Sequence, residues 1–195
     1  MQERLAKQLE FVLEIDRLKG ILRRTRIADG SRRENSAEHS WHLAMMAMTL
    51  AEHAPVGTDV ARAIEMLLVH DLVEIDAGDT FAYDSDANLD REEREVRAAE
   101  RVFGLLPAEQ GARFRALWDE FEGGASPEAR YAVALDRLQP FLLNARAEGG
   151  TWRTHAVRLA QVRRRMEPIR HAMPEVWPVV ERSLAEAVER GWLAS

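Results

Sequence analysis

The chain contains no cysteine. That absence excludes a disulfide framework and any thiolate metal site, and it fits a reducing compartment. No apolar run in the sequence approaches the ~18 to 20 residues that span a bilayer. The opening stretch MQERLAKQLEF mixes charge with apolar residues and lacks a signal-peptide core, so a cytoplasmic protein without membrane partners is expected. Net positive charge is also lacking. The formal charge is −6, which argues against long nucleic acid as a partner. No segment sustains a two-residue apolar alternation, so no sheet is expected. Repeats and low-complexity tracts are absent too.

What is present is an ordinary globular composition. The chain has 195 residues, 46% hydrophobic and 31% charged, enough for a single domain over 1–195 with a sizeable core. The periodicity is helical throughout. Leu5, Leu9, Val12, Leu13 and Leu18 form an apolar stripe over 2–19. Residues 20–34 read as a loop, broken by Gly20 and by Asp29-Gly30. Asn35 with Glu38 resembles a capping box, which opens a second helix ended by Pro55 and Gly57; Met45, Met46 and Met48 read as its core filler. A third helix is expected over 59–75, with Ile64, Leu67, Leu68 and Leu72 as its core face. Residues 76–88 read as loop, and helices follow near 89–103, 107–121, 126–145, 156–171 and 174–190. Trp177, Val180, Leu184, Val188, Trp192 and Leu193 then close the core or bury a partner. The expectation is an all-α fold of seven to nine helices.

Charge is unevenly placed. Arg17, Lys19, Arg23, Arg24, Arg26, Arg32 and Arg33 face only Asp29 within 17–33. A local basic patch on an acidic chain suits a small anionic ligand, and a solvated basic loop explains it equally well. The stretch VHDLVEIDAGDT at 69–80 poses the opposite question, since it sets five polar groups in a segment with a core-like apolar pattern. His70, Asp71 and Glu74 project together from the edge of the apolar stripe if the helix continues. A buried carboxylate without a partner costs several kcal/mol, on the order of what burying any unpaired charge costs. Asp71 therefore demands an arginine, a hydrogen-bonding shell or a metal. His39 sits in the first turn of the second helix, and Asp136 interrupts the apolar run YAVALDRLQPFLL, where Pro140 should kink the helix beside it. Two histidines and two aspartates, without sulfur, suit Mn, Fe, Co, Ni or Zn. A salt-bridged helical core accounts for the same residues.

Three ordered blocks carry a resemblance: ENSAEHSWHLA at 34–44, HDLVEIDAGDTFAYD at 70–84 and ALDRLQPFLLN at 134–144. Together they resemble the HD-domain metal-dependent phosphohydrolases, in the branch of the 5′-deoxynucleotidases, over roughly residues 5–192. The resemblance implies one divalent metal ion, with Mg added to the options above, held by His39, His70, Asp71 and Asp136. It implies cleavage of a nucleoside 5′-monophosphate and a homodimer. Glu74 matches an acid beside the metal, suited to proton transfer. Asp79 matches a residue near the sugar or the attacking water. Arg24, with Arg23 and Arg26 close behind, matches an arginine that contacts substrate. Family members often carry a tryptophan shortly after that arginine, where this chain has Arg26 and Ile27.

Related chemistries bound the reading. Dinuclear relatives need further histidines after the His-Asp pair, and none occurs between Asp71 and His155. Alarmone hydrolases need a second acid where Ile75 stands. A triphosphate or cyclic substrate stays open, as does a non-catalytic helical module with the metal as a staple. His42, three after His39 on the same face, could replace it as ligand but reads rather as a core or supporting histidine; His155 and His171 read as structural, and His53 as a helix-end surface group.

Overall fold

The computed structural model describes residues 1–84 and 89–194. Helix α1 covers Gln2–Glu14 and passes into a 3₁₀ turn at Ile15–Gly20. Strands β1 (Leu22–Arg26) and β2 (Arg33–Asn35) follow as an antiparallel pair, with Leu22 opposite Asn35 and Arg26 opposite Arg33. Then come α2 (Ser36–Thr49), α3 (Val60–Val69), a 3₁₀ turn at His70–Val73 and the short α4 (Glu74–Ala77). The rest is α5 (Arg91–Gly104), α6 (Ala108–Gly123), α7 (Pro127–Arg146), α8 (Gly150–Thr154), α9 (Leu159–Ala172) and α10 (Trp177–Glu189). Among the described residues eight helices reach ten residues or more, within the expected seven to nine.

The helix ends follow local chemistry. The Asn35 side chain accepts from the Glu38 N–H while Glu38 Oε2 accepts from the Asn35 N–H, the reciprocal box read from the sequence. Asp59 caps α3 by accepting from the Ala61 and Arg62 N–H groups. Ser126 accepts from the Ala129 N–H, and Pro127 starts α7 where its missing N–H costs nothing. Gly124, at φ +59°, ends α6 in the left-handed region.

Helix α7 is the central element, packed against α2, α3, α6, α8 and α9 and touching β1. It buries Tyr131, Ala134, Leu135, Leu138 and Phe141, and the Tyr131 hydroxyl donates to the Ala47 carbonyl at 2.9 Å. Its hydrogen-bonded run continues through Pro140 to Arg146. The C-terminal apolar residues close this chain's own core: Val180, Leu184 and Leu193 are buried, with Trp177, Val188 and Trp192 packed at the edge.

Several expectations need correction. The absence of a sheet was wrong, because 20–34 forms the hairpin of β1 and β2 rather than a loop. Its two-residue alternation exists in burial, not in hydropathy: Arg23 and Thr25 turn inward, while Leu22, Arg24 and Arg26 face out. An inward arginine hides the signal, since the surface it meets is polar. The third helix does not run unbroken over 59–75 but tightens at His70. Leu68, expected in the core, is 48% exposed, and Met45 and Met48 are exposed while only Met46 is buried. The stripe on α1 is likewise mostly exposed. Leu5, Leu9, Val12 and Leu13 face out, Phe11 turns in, and Leu18 is buried in the following turn. The short α8 was missed. The end of the expected 76–88 loop, at 85–88, lies outside the described residues.

Candidate metal centre

The 3₁₀ turn at 70–73 sets the geometry. The turn tightens the chain before α4 begins at Glu74, and Asp71 and Glu74 both come within 4.0 Å of Arg23 Nη1. His70, Asp71 and Glu74 are all buried, as are His39 at the start of α2 and Asp136 in the middle of α7. Donor atoms of His39, His70 and Asp136 lie within 4.8 Å of one another. His39 Nε2 is 2.9 Å from Asp136 Oδ1, and His70 Nε2 is 3.8 Å from the same oxygen. Asp71 adds its carboxylate, with Oδ1 3.0 Å from His70 Nε2 and Oδ2 3.9 Å from His39 Nε2. Ligand atoms bound at about 2.1 Å to one ion are separated by about 3 to 4 Å, the spacing seen here.

Hydrogen bonds settle which nitrogens face inward. Gln139 Nε2 donates to Glu34 Oε1 at 2.6 Å and sits 3.1 Å from His42 Nδ1, so its Oε1 is left to accept from His39 Nδ1 at 3.1 Å. His39 Nδ1 thus donates to Gln139, and Nε2 is the nitrogen that faces the Asp136 carboxylate. Two acceptors at 2.9 Å repel unless a proton or a cation lies between them. His70 is arranged alike: Nδ1 donates to the Leu67 carbonyl at 2.8 Å, and the buried Nε2 has no hydrogen-bond partner among the described residues. Imidazoles oriented by their Nδ1 bonds, with Nε2 turned toward carboxylates, fit a divalent cation that takes the place of the protons between them.

Electrostatics tells the same story. Burial disfavours charge on His70, but Asp71 and Asp136 outweigh it and hold the imidazole up at about 10 without metal. Against burial, His70 and Arg23 push Asp71 down, and Arg137 and the two histidines hold Asp136 well below the usual carboxylate range. Glu74 moves the other way. Burial and the nearby Asp71 charge raise it to about 8, although the Ser36 hydroxyl donates to its Oε2 at 2.5 Å. Asp79 is also raised by burial, opposed by Arg23 and by a hydrogen bond from the Arg24 backbone.

Arg23 reaches into this cluster. Its Nη1 is 2.9 Å from Asp71 Oδ2, 3.8 Å from Asp79 and 4.0 Å from Glu74. Arg24, on the outer side of β1, lines a neighbouring cavity instead, together with Phe81, Tyr83 and Trp152. Arg23 and Asp79 line both that cavity and a cleft of about 200 Å³ that opens over His70, Asp71, Glu74 and Asp136. His155 stacks on Phe81 with ring centroids 4.6 Å apart, and His53 pairs with Glu175 at 2.7 Å. Sequence reading missed Glu34, Ser36 and Gln139. Gln139 had a signal, since it lies three residues after Asp136 on the same helix face; Glu34 and Ser36, flanking the cap at Asn35, had none.

The model of the HD domain family matches residues 15–177. The chain belongs to the HD domain family. A crystal structure from Magnetospirillum magnetotacticum MS-1, described as a predicted metal-dependent phosphohydrolase, is 52% identical. It superposes with a TM-score of 0.94 over 98% of this chain and 96% of its own. The 5′-deoxynucleotidase HDDC2 of Danio rerio is 31% identical over 54% of this chain and 52% of its own length. Its Homo sapiens counterpart is 27% identical over 69% and 65%. The chain thus spans about half to two thirds of the length of the curated relatives it matches. Among the described residues, no helix of this HD domain is long and apolar enough to cross a membrane.

Proposed function

We propose that this protein is a divalent-metal-dependent phosphomonoester hydrolase acting on nucleoside or deoxynucleoside 5′-monophosphates. The observation that carries the reading is the pair of inward Nε2 atoms of His39 and His70, set against Asp136 and Asp71 at the floor of a basic-walled cleft. The relatives named 5′-deoxynucleotidase support the substrate class. Held by His39, His70, Asp71 and Asp136, a divalent ion supplies Lewis acidity, lowering the pKa of water and neutralising phosphoryl charge.

The remaining work falls to the side chains. Arg23 sits by Asp71 and Asp79, where its charge offsets their repulsion and faces the phosphate. Glu74, raised to about 8, exchanges a proton near neutrality. The Ser36 hydroxyl occupies Oε2, so Oε1 carries the exchangeable proton, delivered to the leaving alkoxide or taken from water. Asp79, anchored by the Arg24 N–H, accepts from a sugar hydroxyl or orients the water. Arg24 meets the substrate farther out, in the cavity walled by Phe81, Tyr83 and Trp152. The site belongs to a single domain of 1–195 in a cytoplasmic protein. The homodimer belongs to the reading as well, and the exposed Leu5, Leu9, Val12 and Leu13 are the apolar surface it would cover.

The test is phosphate release from deoxy- and ribonucleoside mono-, di- and triphosphates and cyclic nucleotides, with Mn, Co, Zn or Mg and after chelation. Monophosphate turnover that needs metal and is lost in Asp71→Asn is expected. Turnover that survives chelation would overturn the reading. Metal binding without turnover on any substrate would leave the metal as a structural staple.

A further inference from the structure

Four arginines line the metal cleft: Arg23, Arg91, Arg137 and Arg165. Three are held by carboxylates. Arg23 is 2.9 Å from Asp71 Oδ2, Arg91 is 2.7 Å from Glu95, and Arg137 bonds to Asp136. Arg165, from α9, has no ion pair or hydrogen bond among the described residues, although it is half-buried. Burial and Arg137 disfavour its charge, and Asp136 and Tyr83 offset them only in part. Guanidinium groups that line one cleft repel one another, and a bound anion lowers that repulsion.

Their position specifies the anion. Three cavities meet on this side of the molecule. One is the metal cleft, one is the aromatic cavity of Phe81, Tyr83 and Trp152, and the third is an open groove lined by Gln161, Arg164 and Pro168. Arg137 and Arg165 line all three. A nucleotide with its phosphate over the metal ligands and its base among the rings must pass its phosphoryl–sugar link through that junction. Arg23 is poorly placed to grip the phosphate by itself, since Asp71, Asp79 and Glu74 already surround its Nη1.

We propose that Arg165, with Arg137 beside it, is the phosphate clamp of this site, binding the phosphoryl oxygens of the monoester and of the inorganic phosphate product. The inference rests on the phosphomonoester reading above. Arg137 also orients Asp136, so its removal would disturb the metal, and Arg165 is the cleaner probe. A guanidinium offers paired donors that match phosphate oxygens, whereas an ammonium offers only a point charge.

The experiment uses the metal-loaded full chain and titrates inorganic phosphate by calorimetry, alongside KM and kcat on a panel of nucleoside monophosphates. Arg165→Gln should weaken phosphate binding and raise KM on the order of 10- to 100-fold, the loss of one charged hydrogen-bonding partner. The rise should be equal for every base, with kcat changed less. Metal affinity should stay as in the wild type. Arg165→Lys should recover part of the phosphate affinity, and it provides the readout if the glutamine variant does not fold. Phosphate affinity within twofold of wild type in both variants would overturn the clamp, as would a KM change confined to one base. If the wild type binds phosphate through Arg165 but releases none from any nucleotide, the clamp stands and the hydrolase reading fails. If the metal-loaded wild type does not bind phosphate at all, the clamp fails.

Discussion

His70 makes the sharpest prediction, because proton and metal compete for the same nitrogen. Take the protein stripped of metal. Its His70 holds a proton up to about 10, against 6.5 for an ordinary imidazole. A group raised in the folded state stabilises fully below its unfolded value and loses that contribution as pH climbs through the folded value. The interval, about 10 less 6.5, sets a ceiling of roughly 5 kcal/mol at about 1.4 kcal/mol per pH unit. Relaxation around a neutral ring lowers this, so a loss of about 2 to 3 kcal/mol is expected between pH 6.5 and 10. Glu74 adds to it in the same direction, since its folded value of about 8 stands above 4.5. Asp71 acts at the other end, stabilising above 3.8 and losing that as pH falls toward about 2. A divalent ion favours the neutral imidazole, so binding should expel the His70 proton at pH 7. Urea unfolding at several pH values, with and without metal, measures the first effect. Calorimetry in buffers of different ionisation enthalpy measures the second. Metal-free stability that is flat from pH 6.5 to 10, together with metal binding that releases no proton, would refute the argument that these donors await a cation.

Other perturbations probe the support around the site. Gln139→Leu removes the group that fixes the His39 tautomer and leaves Glu34 without its donor. Metal affinity, measured by competition with a chromogenic chelator, should fall ~10- to 100-fold. Ser36→Ala deletes the hydroxyl that favours ionised Glu74, so the limb of the pH–rate profile belonging to Glu74 should move to higher pH. An unchanged limb would remove Glu74 from the proton-transfer role. Gly111→Ala places a methyl 2.5 Å from the Phe103 carbonyl oxygen, where α6 packs on the end of α5. Strain of ~1 to 3 kcal/mol should exceed the ~1 kcal/mol gained in helix propensity, and the urea midpoint should fall.

The helical class and the capped starts of α2 and α7 were legible in the chain alone, because they are local: Asn35 and Glu38 lie three apart, and Ser126 precedes Pro127. Such signals depend on side chains near in sequence, and they survive whatever the rest of the chain does. Polar groups beside or inside apolar runs at His39, His70, Asp71 and Asp136 were legible too, but a salt-bridged core explained them equally, and the family resemblance of three ordered blocks is what joined them as one set.

Tertiary structure decided what lies between distant segments. The hairpin was illegible because its inward residues face the polar site, so its alternation is one of burial alone. That alternation sends Arg23 to the carboxylates and Arg24 to the aromatic cavity, a choice that no charge count could make. The turn at 70–73 leads Asp71 and Glu74 into one buried cluster, where burial and the Asp71 charge raise the latter. Glu34, Gln139 and His39 are linked across about a hundred residues, and Arg165 meets Arg137 only because α9 packs on α7. An imidazole is aimed by a partner far along the chain, and long-range packing alone brings that partner near.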